Sequence, residues 1–390
     1  MKLETIQAWR ALAVLLVVLF HGTLRVAGHY GVAPLWGAFR VGFCGVHLFF
    51  VISGFIILFA HAGDVGRPRR LPWYWTRRLV RIYPFYWIIL LASGGWRFLV
   101  HGPDLREFWL NALFFMKENV LVIPVSWTLR YEVLFYALFS ALVLDRRLGA
   151  AVAAAWLGLL LAGPWRGGIL LHPFNLLFLF GLAAGGLWFG LRRLRPAAGG
   201  RVGAACLAAG GILFAATAAA LFARPASVAT WPRDLPSILG LGAGSLLLVL
   251  GSASPAVEGF FARRRLLSLV GDASYAIYLV HGQVERLAFK LVTALDPLWG
   301  GAIGSQPGAA LVLFFLAASA VGAGLLLHRH VERPLLRRLR RSADALFARG
   351  AAWAAAGRPF FRAGWPEWQV EQRAFRHGER GSGDGGGAGP

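Results

Sequence analysis

The sequence is poor in the residues that build disulfide frameworks, metal sites and soluble surfaces. Only two of its 390 residues are cysteine, so it has neither a disulfide framework nor metal-ligand cysteine spacing. Charged residues make up 15% of the chain, whereas an ordinary soluble domain is about a quarter charged. The histidines include no HxxxH pair with a nearby carboxylate, so no metal is expected. These shortages argue against an ordinary soluble domain and against a metalloprotein.

Apolar sequence is abundant instead. Hydrophobic residues make up 57% of the chain, and its mean hydropathy is +0.60. Runs of about 17–25 apolar residues, long enough to cross the hydrocarbon core of a bilayer, recur along it. The predicted spans are 8–27, 41–60, 82–100, 127–144, 148–163, 169–191, 201–223, 235–251, 269–292 and 308–328. Because every backbone polar group must be satisfied inside the membrane, these spans should be helices. The predicted fold is an all-α polytopic membrane protein with about ten transmembrane helices.

The net charge of +22 is concentrated in alternate loops. The arginine clusters occupy 67–81, 146–147, 192–201, 263–265 and 337–341. Positive-inside bias therefore places both termini in the cytoplasm. The arginines are confined to loops and are not interleaved with aromatic residues on one soluble face, so nucleic-acid binding is not expected.

The chain divides into two parts by composition. Residues 1–341 form the predicted transmembrane domain, and its first segment is interpreted as a retained helix because no convincing signal-peptide cleavage site follows it. The last predicted helix should end in the segment Glu332–Arg333–Pro334, because a proline stops a helix. Residues 342–390 form an Arg-, Ala- and Gly-rich cytoplasmic tail, predicted to be largely disordered apart from a short surface helix over 343–356.

The first span carries two ionisable residues, Arg10 and His21, with only apolar residues between them. A charged side chain within a bilayer costs about 2.5–3.5 kcal/mol on insertion scales, so such residues usually have a function. Eleven residues return to nearly the same helix face about 16 Å further along. The alternative is a snorkelling arginine with a histidine hydrogen-bonded between helices.

Polar residues recur at helical spacing in four other segments. Ser53 either permits close helix packing with Gly54 or lines a cavity. Arg77, Arg78 and Arg81 either follow the positive-inside bias or bind a phosphorylated cytoplasmic ligand, since guanidinium groups suit phosphates. The remaining candidates are Glu132 and Tyr136 in one span, and Ser274, Tyr278 and His281 on one face of another.

Glu132 requires a partner within the membrane. Arg130 is two residues away and lies on another helix face. We therefore expect the partner of Glu132 to come from a different helix, either in a structural ion pair or in a catalytic contact.

In this order, these segments resemble the integral-membrane acyltransferase family 3, and in particular its exopolysaccharide acetyltransferase branch. The resemblance covers about residues 3–340. The matching residues are Arg10 and His21; the segments 45–55 and 77–84; Trp127, Leu129, Glu132, Phe135 and Tyr136; Gly271, Ser274, Tyr275, Tyr278, Leu279 and His281; and Glu332 with Pro334. One position departs from the family pattern, because His47 stands where an aspartate is usual.

The resemblance implies an O-acyltransferase of the bacterial inner membrane that moves an acyl group, acetyl being the expected one, from cytoplasmic acyl-CoA to a sugar hydroxyl. The acceptor would be a surface or exported polysaccharide or its lipid-linked precursor, and polysaccharide-assembly proteins are expected partners. His21 would act as base or as an acyl-carrying nucleophile, assisted by Arg10 and Glu132. Arg77, Arg78, Arg81 and Ser53 would bind acyl-CoA. The supporting residues would be Tyr136, Ser274, Tyr278 and His281.

Two other functions remain open from the sequence. Buried Arg, Glu and His side chains also occur in proton-coupled transporters and flippases. A non-catalytic membrane scaffold is the third possibility. Release of free coenzyme A from acetyl-CoA would distinguish an enzyme from both.

Overall fold

A computed structural model describes residues 3–101, 105–114, 121–163, 168–192, 196–224, 234–299 and 302–355. The regular structure in these ranges is helical, and they contain no strand. The helices are α1 (Glu4–Tyr30), α2 (Cys44–His61), α3 (Leu71–His101), α4 (Leu105–Ala112), α5 (Trp127–Leu144), α6 (Arg146–Ala162), α7 (Asn175–Leu191), α8 (Pro196–Phe222), α9 (Leu235–Leu250), α10 (Pro255–Ala262), α11 (Arg265–Asp272), α12 (Ser274–Leu295), α13 (Gln306–Leu327) and α14 (Arg333–Ala355). The predicted all-helical class is confirmed for the described ranges.

Within those ranges, six helical segments are long and apolar enough to cross a membrane. They are Glu4–Tyr30, Pro34–Asp64, Pro124–Leu144, Gly199–Phe222, Leu235–Ala253 and Gln306–Arg349. The other predicted spans fall on α6 and α7, which have 17 residues each, and on α3 and α12, which carry several charges. The chain is thus a multi-pass membrane protein, while the count of ten spans and the cytoplasmic termini stay predictions.

Helix α1 lies at the centre of the bundle and packs against α2, α9, α11, α12 and α13. Small residues on its neighbours allow this. A Cβ atom at Gly45 of α2 would lie 2.3 Å from the carbonyl oxygen of Ala13, and one at Gly271 of α11 would lie 2.1 Å from that of Gln7. Because these approaches are backbone to backbone, Arg10 and His21 are carried through the protein interior and not along its lipid-facing surface.

Helices α2 and α7 make a similar contact through Gly54 and Gly181. A Cβ atom at Gly54 would lie 2.3 Å from the carbonyl oxygen of Phe178. This contact turns one face of α2 towards α7, while the neighbouring residue Ser53 lines a cavity. Both interpretations of this segment therefore hold, close helix packing at Gly54 and cavity lining at Ser53.

Helical structure continues through Pro334, so the prediction of a helix end there is wrong. A π-helical turn, His328–Glu332, joins α13 to α14. Pro334 is the second residue of α14, in the first turn, where a missing N–H group is tolerated. Helix α14 continues to Ala355, so the predicted domain boundary after residue 341 falls inside it. Residues 356–390 of the predicted tail lie outside the described residues, as do Arg193 and Arg195.

Candidate active site

A large cavity of about 2310 Å³ lies among α1, α2, α3, α5, α11, α12, α13 and α14. Most of the predicted site residues line it, although they come from distant parts of the sequence. They are Arg10, Ser53, Arg77, Arg78, Arg81, Glu132, Tyr136, Ser274 and Tyr278. The other two, His21 and His281, do not belong to the lining and lie beyond Tyr278.

Positive charge lines the cavity from two helices. The arginines of α3 are joined by Arg333, Arg337 and Arg340 of α14, whose i, i+4, i+7 spacing places them on one helix face. The sequence interpretation treated residues 337–341 as loop charge and missed this face. Their helical spacing was the signal that identifies it. We call the arginines of α3 and α14 that line the cavity the arginine mouth: Arg77, Arg78, Arg81, Arg333, Arg337 and Arg340.

The arginines of α3 differ in their partners. Arg77 donates to Asp344 of α14 at 3.0 Å, and its guanidinium lies 4.2 Å from the centroid of the Trp73 ring. Arg78 lies 5.8 Å from the centroid of the Tyr136 ring, and its Nε has no hydrogen-bond partner among the described residues. Within the described part of the chain, Arg78 is thus left with donors for a ligand.

Arg81 is held more firmly than the other two. Its Nη1 lies 2.7 Å from Oε1 of Glu332, which is completely buried, and the second oxygen of Glu332 lies 2.7 Å from Nδ1 of His328. The π-helical turn that contains His328 and Glu332 therefore fixes Arg81 at the wall of the cavity. This contact gives the closing glutamate of the sequence pattern a structural role.

Arg10 brings a further positive charge to the cavity. It donates to Gln7 Oε1 at 3.1 Å on its own helix. It also interacts electrostatically with Arg81 and with three carboxylates on other helices. Those carboxylates are Glu132, Asp272 and Glu332. Arg10 is therefore part of a charged network around the cavity.

Glu132 accepts a hydrogen bond from the Tyr136 hydroxyl, one turn along α5. Its hydrogen-bond partner therefore lies on its own helix, contrary to the expected partner on another helix, although Arg10 acts on it electrostatically. No hydrogen bond joins Glu132 to His21 among the described residues. Glu132 lines the same cavity as the arginines and does not orient the His21 imidazole directly.

Tyr278 and Ser274 occupy the cavity wall on α12. The Tyr278 hydroxyl donates to the Val125 carbonyl at 3.3 Å and lies 3.1 Å from the Thr128 hydroxyl. The buried Oγ of Ser274 has no hydrogen-bond partner among the described residues. A buried polar atom without a partner is unusual and is typical of functional sites.

Beyond Tyr278, two histidines from different helices meet. His281 Nε2 lies 3.3 Å from His21 Nδ1, which also lies 2.9 Å from the Val17 carbonyl oxygen. His281 Nδ1 lies 2.6 Å from the Tyr278 carbonyl oxygen. The sequence pattern predicted functions for both histidines without predicting that they touch.

The carbonyl contacts determine which ring nitrogens carry protons. A carbonyl oxygen only accepts, so the neutral rings of His21 and His281 both carry their proton on Nδ1. His281 Nε2 then accepts from His21 Nδ1–H, which is shared with the Val17 carbonyl. Nε2 of His21 is left with a lone pair and has no hydrogen bond among the described residues. This nitrogen is in the right state to accept a proton.

His47, where the family pattern has an aspartate, lies completely buried in α2. Neither of its ring nitrogens has a hydrogen-bond partner among the described residues. The ring packs edge-on against Phe174, with centroids 5.3 Å apart. In this chain the position therefore packs against aromatic rings and does not line the cavity.

Comparison with known proteins identifies the family of this chain. The family described as an acyltransferase domain, acyltransferase family 3, matches residues 3–364. The exopolysaccharide production protein ExoZ of Rhizobium meliloti (strain 1021) is 31% identical over 339 residues, which is 82% of this chain and 95% of ExoZ. Acyltransferase MdmB of Streptomyces mycarofaciens is 27% identical over 342 residues, 77% of this chain and 82% of MdmB. No solved structure matches the chain significantly.

The family match covers nearly the whole chain, including every candidate site residue. It favours the enzyme over the transporter and the scaffold that the sequence left open. The chain belongs to the integral-membrane acyltransferase family 3, and it is an O-acyltransferase.

Proposed function

We propose that this enzyme transfers an acyl group, acetyl in the simplest case, from cytoplasmic acyl-CoA to a sugar hydroxyl of a surface or exported polysaccharide or of its lipid-linked precursor. The protein would lie in the bacterial inner membrane with both termini in the cytoplasm. The observation that carries this proposal is an arginine-lined cavity with an unprotonated histidine nitrogen beyond its wall.

The arginine mouth supports acyl-CoA as the donor. Coenzyme A carries several phosphates, and arginine forks bind phosphate through paired, charge-assisted hydrogen bonds. Arg78 and the α14 arginines would contact the phosphates, while Glu332 holds Arg81 in place. Positive-inside bias assigns this face to the cytoplasm, where acyl-CoA is made.

The depth of the site supports a thioester on a long arm. Arg10 lines the cavity, and His21 lies about 16 Å further along α1. A pantetheine arm has this scale. Ser53 and the Glu132 carboxylate line the route, where they would accept hydrogen bonds from the amide N–H groups of the arm.

The chemistry follows from the two histidines. The acceptor hydroxyl oxygen attacks the thioester carbonyl carbon while His21 Nε2 takes the hydroxyl proton. The carbon–sulfur bond then breaks, and the protonated His21 returns the proton to the departing coenzyme A sulfur. His281 holds the His21 ring through Nδ1, and the Arg10 charge positions the donor.

The relatives support a glycan acceptor. ExoZ is named for exopolysaccharide production, and MdmB is named an acyltransferase. Since ExoZ aligns over 95% of its own length, we assign a polysaccharide or its lipid-linked precursor as the acceptor class.

The proposal is tested with purified protein in lipid nanodiscs. The substrates are acetyl-CoA and oligosaccharides from the source strain's surface glycan after mild-alkali removal of acyl groups. We expect thiol release that requires both substrates, and loss of acyl groups from the glycan of a deletion strain. His21→Ala should release no thiol, and its matched control is His29→Ala, since His29 is an exposed histidine further along α1. Normal glycan acylation in the deletion strain, with no thiol release in vitro, would overturn the proposal.

A further inference from the structure

His21 is partly exposed, yet it does not belong to the lining of the arginine-lined cavity. Its accessible surface is therefore not part of that lining. The next residue on the same face of α1, away from Arg10, is Arg25, and its side chain is 27% exposed. These positions indicate a second approach to the catalytic histidine, from the end of α1 opposite the arginine mouth.

A charged pair lies on this second approach, one turn beyond the two histidines. Arg25 follows His21 by four residues on α1, and Glu285 follows His281 by four residues on α12. The two helices therefore present a histidine layer and then a charged layer. Arg25 Nε lies 4.0 Å from Glu285 Oε2, and the Glu285 side chain is completely buried.

Arg25 and Glu285 make fewer hydrogen bonds than a structural ion pair normally does. Both carboxylate oxygens of Glu285 lack a hydrogen-bond partner among the described residues. The Nε of Arg25 also lacks one there. The hydrogen bond from Arg25 to the Gly282 carbonyl is long, at 3.5 Å. A buried, unpartnered carboxylate is costly, so a fold that needed only stability would bring the two groups closer.

We propose that Arg25 binds the acceptor on this side of His21, with Glu285 as the residue that positions it. The proposal rests on the function proposed above and deepens it. The ligand class is a sugar bearing several hydroxyl groups. The Arg25 guanidinium donates to sugar oxygens one turn from His21, and the Glu285 carboxylate orients the guanidinium through its charge, from 4.0 Å.

The geometry suits a sugar for two reasons. A planar guanidinium has five N–H donors in a fixed fork, which match adjacent hydroxyl oxygens on a ring. The partial exposure of Arg25 and His21 on a shared helix face lets one hydroxyl reach the base while its neighbours are held. The donor and the acceptor then approach His21 from opposite ends of the bundle.

The first test measures accessibility and does not depend on activity. Arg25→Cys is made in a Cys44→Ala, Cys206→Ala background, and intact spheroplasts are treated with a membrane-impermeant maleimide. We expect labelling from outside. Arg77→Cys, in the arginine mouth, is the control and should label only in inside-out vesicles. An Arg25→Cys protein that labels only in inside-out vesicles, or not at all, would overturn the proposal.

The second test separates acceptor from donor kinetics in nanodiscs. We expect Arg25→Gln to raise KM for the oligosaccharides about tenfold to hundredfold, the loss of a charge-assisted hydrogen bond. Glu285→Gln should raise the same KM by a smaller factor, because it acts only through Arg25. KM for acetyl-CoA should stay within about twofold. Equal changes in both KM values, or a change in kcat alone, would contradict an acceptor role.

A wild-type protein without thiol release, together with normal glycan acylation in the deletion strain, would refute the function proposed above, while the labelling result still decides the acceptor-side opening. Arg25→Lys covers the case in which Arg25→Gln does not fold. Lysine keeps the charge but lacks the planar fork, so it should also raise KM for the oligosaccharides.

Discussion

Arg81 and Glu332 lie 2.7 Å apart, joining α3 to the π-helical turn before α14. Glu332 is completely buried, and Arg81 is 24% exposed. Glu332→Gln removes the charge that balances Arg81. Breaking a fully buried pair costs about 3–5 kcal/mol, and we expect the lower end because Arg81 is partly exposed. The melting temperature of the purified protein should fall by several degrees.

Asp344→Asn is the matched control for Glu332→Gln. It removes the carboxylate of a second ion pair of α3, Arg77 with Asp344 of α14, whose side chains are 29% and 51% exposed. An exposed pair contributes at most about 1 kcal/mol. Equal losses of melting temperature in the two variants would show that Glu332 has no special structural role.

Arg78 should affect donor binding without affecting stability. It is the arginine of α3 whose Nε lacks a partner among the described residues, so its removal breaks no described ion pair. We expect Arg78→Ala to weaken coenzyme A binding about tenfold or more and to leave the melting temperature nearly unchanged. Isothermal titration with coenzyme A at fixed salt measures this.

Arg81→Ala is the comparison for Arg78→Ala. It leaves buried Glu332 without its cation, so it should lower both affinity and melting temperature. Identical behaviour of the two variants would mean that the ion pair does not distinguish these arginines.

The contact between Gly54 and Gly181 should tolerate no side chain. A Cβ atom at Gly54 would lie 2.3 Å from the Phe178 carbonyl oxygen, and backbone cannot move aside cheaply. We expect Gly54→Ala to destabilise the protein by about 1–3 kcal/mol, measured as loss of melting temperature. Gly186 lies on α7, as Gly181 does, but nothing lies within 4 Å of a Cβ atom added there. Gly186→Ala should therefore have no such effect.

Helical spacing predicted much of the site because it depends only on the geometry of one helix. It assigned functional roles to Arg10 and His21 on α1, and both lie in the interior of the bundle. Spacing does not determine what a neighbouring helix contributes. The contact of His21 with His281 and that of Arg81 with Glu332 depend on tertiary packing, which the sequence alone did not indicate.

Two local features were also beyond the sequence reasoning. A proline usually ends a helix, but the π-helical turn before α14 places Pro334 in the first turn of a new helix, where it costs little. The arginines of α14 satisfy two rules at once, positive-inside bias and helical spacing. Positive-inside bias already explained these arginines, so their helical spacing was not used. Arg333, Arg337 and Arg340 were therefore not recognised as cavity-lining residues.

Variants of the two histidines should distinguish the proposed base, His21, from the residue that positions it, His281. We expect His21→Ala to abolish acyl transfer, because it removes the only nitrogen proposed to take the hydroxyl proton. His281→Ala should reduce kcat and retain measurable turnover, because the Val17 carbonyl still fixes the proton on Nδ1 of His21. Thiol release at saturating substrates measures both. A completely inactive His281→Ala and an active His21→Ala would reverse the two roles.

Glu132 should matter for turnover more than for stability. Its described hydrogen bond comes from the neutral Tyr136 hydroxyl on its own helix, and it lines the cavity, where a ligand or water reaches it. Glu132→Gln keeps its shape and an acceptor oxygen but removes its charge. We expect acyl transfer to fall at least tenfold, with the melting temperature within a few degrees of wild type, both measured on one purified sample.

Tyr136→Phe separates the charge of Glu132 from its hydrogen bond. It removes the hydroxyl that donates to Glu132 and leaves the carboxylate free to act on the positive charge of Arg10. We therefore expect a smaller loss of turnover in Tyr136→Phe than in Glu132→Gln. If the Glu132 carboxylate serves only the fold, Glu132→Gln will leave Arg10 with less negative charge around it, and the melting temperature will collapse while each folded molecule keeps its normal turnover. That result would remove Glu132 from the mechanism.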